Sequence, residues 1–177
     1  MSRDATLAER VFDRIAAHWL RRADDLAVVA RTGYSFEEWA NWEAIFACRD
    51  EPTWVATPRP RYADLGAKDS ALFGDLLVSE ADRRVLVEVG TVHDWTQSKW
   101  KHKLNVDTDK LRDLDGHDVA RLQIIARLAS GRWSVNEASW LKWVDAWTVS
   151  EAIVRHADLP GGGRVEVRGY IVTDVGS

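Results

Sequence analysis

Asp75 and Glu88 are the side chains whose types and spacing could do chemistry. They flank a hairpin-like stretch in FGDLLVSEADRRVLVEVGTVHDWTQSKWKHKLNVDTDKLRDL, residues 73–114. Two short aliphatic runs, Phe73–Ser79 and Arg84–Val89, border the polar link Glu80-Ala81-Asp82-Arg83, the pattern of two strands and a charged turn. A symmetric turn centred on Ala81-Asp82 puts Asp75 directly opposite Glu88. Both then share the face of Leu77 and Leu86, away from Leu76, Val87 and Val89. Like charges facing each other on a sheet are destabilising. The pair needs a cation, a shared proton or solvent, and a divalent metal held by oxygen ligands is the reading that makes it useful. Two solvated carboxylates at strand ends are the competing reading, since strand register is weakly set by sequence.

Asp75 and Glu88 on consecutive strands, followed by a basic helix, resemble the PD-(D/E)xK, or restriction-endonuclease-like, nuclease superfamily over residues 34–128. The resemblance implies an Asp opening the second core strand, a Glu ending the third, and bound Mg²⁺ or Mn²⁺. It also implies a further Glu from an upstream helix, for which Glu43 is the matching residue. The family places a lysine two positions after the Glu; this chain has Gly90 there. A lysine from the next helix must then substitute, or the site does not cleave. Lys99 and Lys103 are the candidates, with Lys101 turned toward solvent.

The elements that would position these groups follow from periodicity. Residues 4–29 read as helix, with Leu7, Val11, Ile15, Trp19, Leu26 and Val29 near helical spacing and a break at Asp24-Asp25. Gly33 is a ready C-terminal cap. Ser35 and Glu38 form a capping box opening a second helix, whose buried stripe is expected at Phe36, Trp39, Trp42 or Glu43, and Phe46. Thr53–Thr57 reads as extended, and Pro58-Arg59-Pro60-Arg61 as a restricted loop whose arginines, with Lys68, are placed to touch phosphates. Residues 96–114 read as a helix with the buried stripe Trp100, Leu104, Leu111 and Leu114, and with Asp107 or Thr108 filling the missing turn. Trp100-Lys101-His102-Lys103 has the basic-aromatic character suited to a nucleic-acid backbone, or is simply a solvated face. VARLQIIARL, residues 119–128, reads as a central strand. Helices are expected over 136–147 and 149–156, and a last strand, interrupted by Gly169, over 165–175. The tryptophans of the 136–147 segment suit the core or a subunit interface.

Composition bounds the rest. A chain of 177 residues, 46% hydrophobic and 29% charged, suits one soluble domain with a true core. No apolar run approaches the about 20 residues that span a membrane, and the N-terminal MSRDATLAER has no apolar leader segment. A cytoplasmic location is expected. One cysteine, Cys48, excludes an internal disulfide and a cysteine-rich zinc site. His93 and His102 lack zinc-ligand spacing, and no nucleophile motif or phosphate-binding glycine loop is present. The net charge of −4 argues against a general nucleic-acid binder, though a local basic patch suffices.

The expected fold is a single α/β domain, a mixed sheet flanked by helices, restriction-endonuclease-like. A helical extension at 1–33 precedes a nuclease-like core at 34–128 and C-terminal helices and a strand at 129–177. The expected activity is metal-dependent hydrolysis of phosphodiester bonds in nucleic acid, DNA before RNA. Asp75, Glu88 and Glu43 hold Mg²⁺ or Mn²⁺, and Lys99 or Lys103 orients water or stabilises charge. A homo-oligomer is compatible with the tryptophans. The rival reading is a non-catalytic binding module on the same fold; hydrolysis of a smaller phosphate compound is a third.

Overall fold

A two-residue turn at Ala81-Asp82 sets the register of the sheet. Ala81 takes φ 53°, the positive value that two-residue hairpins need at their first turn position. Strands β2 (Leu76–Glu80) and β3 (Arg83–Val92) then pair antiparallel, Leu76 with Val87 and Glu80 with Arg83. Extending that register one residue brings Asp75 level with Glu88, as the symmetric turn predicts.

The computed structural model describes residues 5–32, 37–67, 71–92, 100–114, 118–129, 152–159 and 163–172. Helices α1 (Leu7–Arg21), α2 (Ala23–Thr32) and α3 (Glu37–Arg49) come first, and β1 (Val55–Pro58) pairs antiparallel with β2. A 3-10 turn at Tyr62–Leu65 leads back to β2. After β3, helix α4 (Trp100–Arg112) crosses over to β4 (Val119–Ala129), which lies parallel to β3. Strands β5 (Ile153–Asp158) and β6 (Arg164–Ile171) complete a six-stranded mixed sheet of order β1-β2-β3-β4-β6-β5. No helix among the described residues is long and apolar enough to cross a membrane.

The period-two alternation of β3 divides the core. Val85, Val87 and Val89 face α1, α2 and α3 in one cluster with Phe12, Ile15 and Trp19. Leu86 faces the other way, into a cluster with Tyr62, Leu111 and Leu114. Helix α1 starts at Leu7 because Thr6 caps it reciprocally with Glu9: the Glu9 N–H donates to Thr6 Oγ1 at 3.2 Å and the Thr6 N–H to Glu9 Oε2 at 2.7 Å. Arg22, rather than Asp24-Asp25, marks the break before α2.

Helix α3 keeps part of its expected stripe, since Glu43 is buried and Trp39 partly buried against the core, but not its aromatic pair. Its buried residues include Ala40, Ala44, Ala47 and Cys48, while Trp42 and Phe46 are exposed and stacked on each other at 6.0 Å. Small side chains let α3 approach α1 and the sheet closely, and the large aromatics turn outward. The helix expected at 149–156 is instead β5 over its described part, an edge strand whose Arg155 and His156 are exposed. Gly169 does not interrupt β6: its bare Cα accommodates Phe12, whose ring a Cβ would strike. The Ser35 cap, Gly33, Lys68, His93, the 136–147 helix and the side chain of Trp100 lie outside the described residues.

Candidate active site

Asp75 sits immediately before β2, at the end of the sheet. Its Oδ2 accepts the Val89 N–H at 2.8 Å, and its Oδ1 accepts from Asn41 Nδ2 of α3 at 3.1 Å. The carboxylate is thus tied to β3 on one side and to α3 on the other. Glu88, within β3, is only 1% exposed. Its Oε1 accepts from Tyr62 Oη at 2.7 Å and from Lys110 Nζ of α4 at 3.0 Å.

Helix α4 brings a charged row to this point. Lys103, Asp107 and Lys110 stand four and three residues apart, the spacing that places side chains on one helix face. Asp107 bridges them, its Oδ2 at 2.6 Å from Lys103 Nζ and its Oδ1 at 2.8 Å from Lys110 Nζ. Lys103 Nζ also lies 3.2 Å from Glu37 Oε1 and donates to the Val89 carbonyl at 3.2 Å. Glu37, Asp75, Glu88 and Asp107 therefore surround the two ammonium groups of Lys103 and Lys110.

This surplus of negative charge in a dry place shifts the protonation of its members. Burial, with Asp75 and Asp107 nearby, raises the Glu88 carboxyl to about 8, against the pull of Lys110 and Tyr62. Burial also raises Glu37, opposed by Lys103. Burial alone would lower both lysines, yet Asp107 and Glu37 hold Lys103 above its ordinary value, and Glu88 and Asp107 do the same for Lys110. Both are cations at neutral pH. Tyr62 is raised by its burial and by Glu88, so it stays a hydrogen-bond donor.

Gly90 explains why the cation comes from α4. Leu104 lies directly over Gly90, and a Cβ at position 90 would collide with Leu104 Cδ2. A lysine there would force Leu104 to shift, so glycine is what lets this helix pack so close. The close helix in turn carries Lys110 down to Glu88. Beside them on β4, Gln123 pairs in register with Glu88 and is fully buried. Neither its amide oxygen nor its nitrogen finds a hydrogen-bond partner among the described residues. A buried amide without partners ordinarily costs stability, so Gln123 is available to a group entering beside Glu88.

The structure thus brings Asp75, Glu88 and Lys103 together. Lys99 lies outside the described residues, and Lys101 is exposed. Glu43 is a correction: it does not join the cluster. It stands two residues past Asn41, about 200° around the helix, and faces α1 and α2. There it pairs with Arg22, and its Oε2 lies 2.6 Å from His18 Nε2. Burial opposes its ionisation, but Arg22 and His18 hold its pKa below the usual range. The α3 glutamate at the site is Glu37. Asp107, Lys110, Tyr62 and Gln123 complete the cluster without having been singled out by motif; the Lys103, Asp107, Lys110 row was their one visible signal. Cys48 is buried and pushed up to about 12 by that burial, so it is no nucleophile.

Among the described residues no three His, Cys, Asp or Glu side chains converge as a protein-only metal cage. The all-oxygen donors of Asp75 and Glu88 suit an ion that retains water and binds through one or two carboxylates, the habit of Mg²⁺. The unbalanced charge around Glu88 is what such an ion would neutralise. Compared with protein-family models, with curated proteins and with solved structures, the chain gives no significant match.

Proposed function

We propose that this protein is a divalent-metal-dependent nuclease with a restriction-endonuclease-like core, hydrolysing phosphodiester bonds of nucleic acid, DNA in preference to RNA. The observation that carries the reading is the buried Glu88, level with Asp75 across the hairpin, with a lysine supplied by α4 where Gly90 has no side chain. The order α3, β1, β2, β3, α4, β4, with β3 and β4 parallel, supports the same reading.

Asp75 and Glu88 would hold the ion; when bound, it would polarise a phosphate oxygen and lower the pKa of an attacking water. The chain's own residues act around it. Asn41 and the Val89 N–H fix the orientation of Asp75. Tyr62 fixes Glu88. Burial, Asp75 and Asp107 raise the Glu88 carboxyl to about 8, so holding a cation there would be coupled to release of its proton. Lys110, a permanent cation at Glu88, stabilises negative charge developing on the phosphoryl oxygens. Lys103 contacts Asp107, Glu37 and the Val89 carbonyl but not Glu88, and so orients the cluster.

A second reading has one observation in its favour: Asp107 already pairs with both lysines, the arrangement expected of a binding module that keeps the fold without the reaction. The two separate on cleavage of end-labelled single-stranded and duplex DNA and RNA with Mg²⁺ or Mn²⁺. The nuclease reading expects cleavage that falls about 100-fold or more in Lys110→Met, and less in Lys103→Met. Binding of every substrate without cleavage, at either metal, establishes the binding module.

A further inference from the structure

A cleft of about 580 Å³ opens from the carboxylate cluster, between α3 and the chain segments that enter β2. That volume falls within the ~300–1,000 Å³ typical of small-ligand sites. One wall carries Asn41 and Trp42, the other Arg59, Phe73 and Asp75. Asn41 and Asp75 are also members of the candidate active site, so whatever fills the cleft lies next to whatever reacts there. Trp42 and Phe73 are 48% and 40% exposed, although both rings have large apolar faces that folding normally hides. Their exposure follows from the alanine-lined inner face of α3, which turns Trp42 outward, and from the approach to β2, which presents Phe73.

The charges in the cleft, and at its border where Arg61 meets Phe73, are sorted. Arg59 and Arg61 hold their guanidinium groups 5.3 and 5.8 Å from the Phe73 ring centre. Arg59 takes φ 49°, a left-handed backbone that a non-glycine residue adopts at a cost, and its N–H donates to the Asp75 carbonyl at 3.2 Å. The same backbone that delivers Asp75 therefore aims Arg59 along the cleft. Glu37 and Glu38, on the α3 side, line it as acceptors. A phosphate is repelled by the acidic wall and attracted to the arginine rim. An uncharged, flat ring with donor groups on its edge is accepted by all of these residues.

We propose that the cleft receives one unstacked nucleobase of a single-stranded nucleic acid, stacked on the face of Trp42 not covered by Phe46 and bordered by Phe73, while Arg59 and Arg61, held over the Phe73 ring, contact the adjoining phosphates. Rings on side chains stack on any base with a free face, whereas bases inside a duplex are covered by their neighbours. The substrate class is then a single strand, or the unpaired end of a duplex. This rests on the nuclease reading for the position of the scissile bond, but not for the binding itself.

Fluorescence anisotropy with a labelled ten-nucleotide single strand and its duplex, both in EDTA, tests it. The wild type binds the single strand more tightly, and Trp42→Ala or Phe73→Ala weakens that binding roughly 5- to 100-fold. Val55→Ala, a control at an exposed residue of β1 outside the cleft, leaves it unchanged. Both aromatic variants retain the wild-type melting temperature within a few degrees, because the rings are exposed. Unchanged single-strand binding in both aromatic variants, or equal affinity for the duplex, overturns the proposal. So does a wild type that binds no oligonucleotide, which would leave the aromatic cleft to a protein partner. The two readings fail separately: Mg²⁺-dependent cleavage with unaltered binding in both variants removes the base site alone. Lost binding in the variants, with no cleavage by the wild type, removes the nuclease alone.

Discussion

At the scale of single residues, Glu88 and Gly90 carry the account. A carboxyl with a folded-state pKa of about 8 has an unfolded value near 4.3. Between those values the unfolded chain has lost this proton and the folded chain keeps it, so stability from this group falls as pH rises. Glu88→Gln cannot ionise. Its melting temperature relative to wild type should therefore climb from pH 5 to pH 8 and level off above; a constant or shrinking difference would show that Glu88 is ionised at lower pH. Gly90 makes a second prediction. Gly90→Lys restores the residue that the resembled family has, yet it should destabilise by about 1–3 kcal/mol through overpacking against Leu104. Adding Leu104→Ala should recover part of that loss in urea unfolding. A fully stable Gly90→Lys protein would mean that α4 lies farther from β3.

At the scale of elements, the hairpin was legible and α3 was not. The pairing of Leu76 with Val87 follows from a turn with one plausible centre, flanked by runs that alternate cleanly. In α3, apolar residues surround the helix, so the periodicity does not choose between an aromatic and an alanine face; packing distance chooses the alanines. Glu43 was misplaced for the same reason, since turning the helix moves Glu37 and Asn41 toward Asp75 and carries Glu43 to Arg22. Lys110 was hidden because it lies two turns beyond Lys103, past the part of α4 nearest to Glu88 in sequence. Residues Ile153 and Val154 suit helix or strand alike, and their pairing with β6 decides it. The α3 finding is checkable by stability. Trp42→Ala should change unfolding free energy by no more than about 0.5 kcal/mol, whereas Trp19→Ala, fully buried in α1, should cost about 3–5 kcal/mol. Equal losses would restore the aromatic face to the core.

At the scale of the whole molecule, charge and site are set against each other. The chain carries a net charge of −4, and its candidate site has four carboxylates around two lysines, so affinity for a polyanion cannot come from a broad basic surface. With Arg59 and Arg61 as the phosphate contacts, single-strand affinity should depend weakly on salt, with a logarithmic slope of about −1 to −2. A slope steeper than about −4 would point to a larger basic surface elsewhere. The central claim concerns the carboxylate pair at the end of the sheet. The most direct measurement is the Mg²⁺-dependent cleavage rate of a labelled single-stranded DNA by the wild type and by Glu88→Gln, each with an EDTA control. Cleavage by the wild type that EDTA abolishes is expected, with a rate reduced about 100-fold or more in a Glu88→Gln protein whose circular dichroism matches the wild type. Cleavage at the wild-type rate by Glu88→Gln, or none by the wild type, would contradict the central claim.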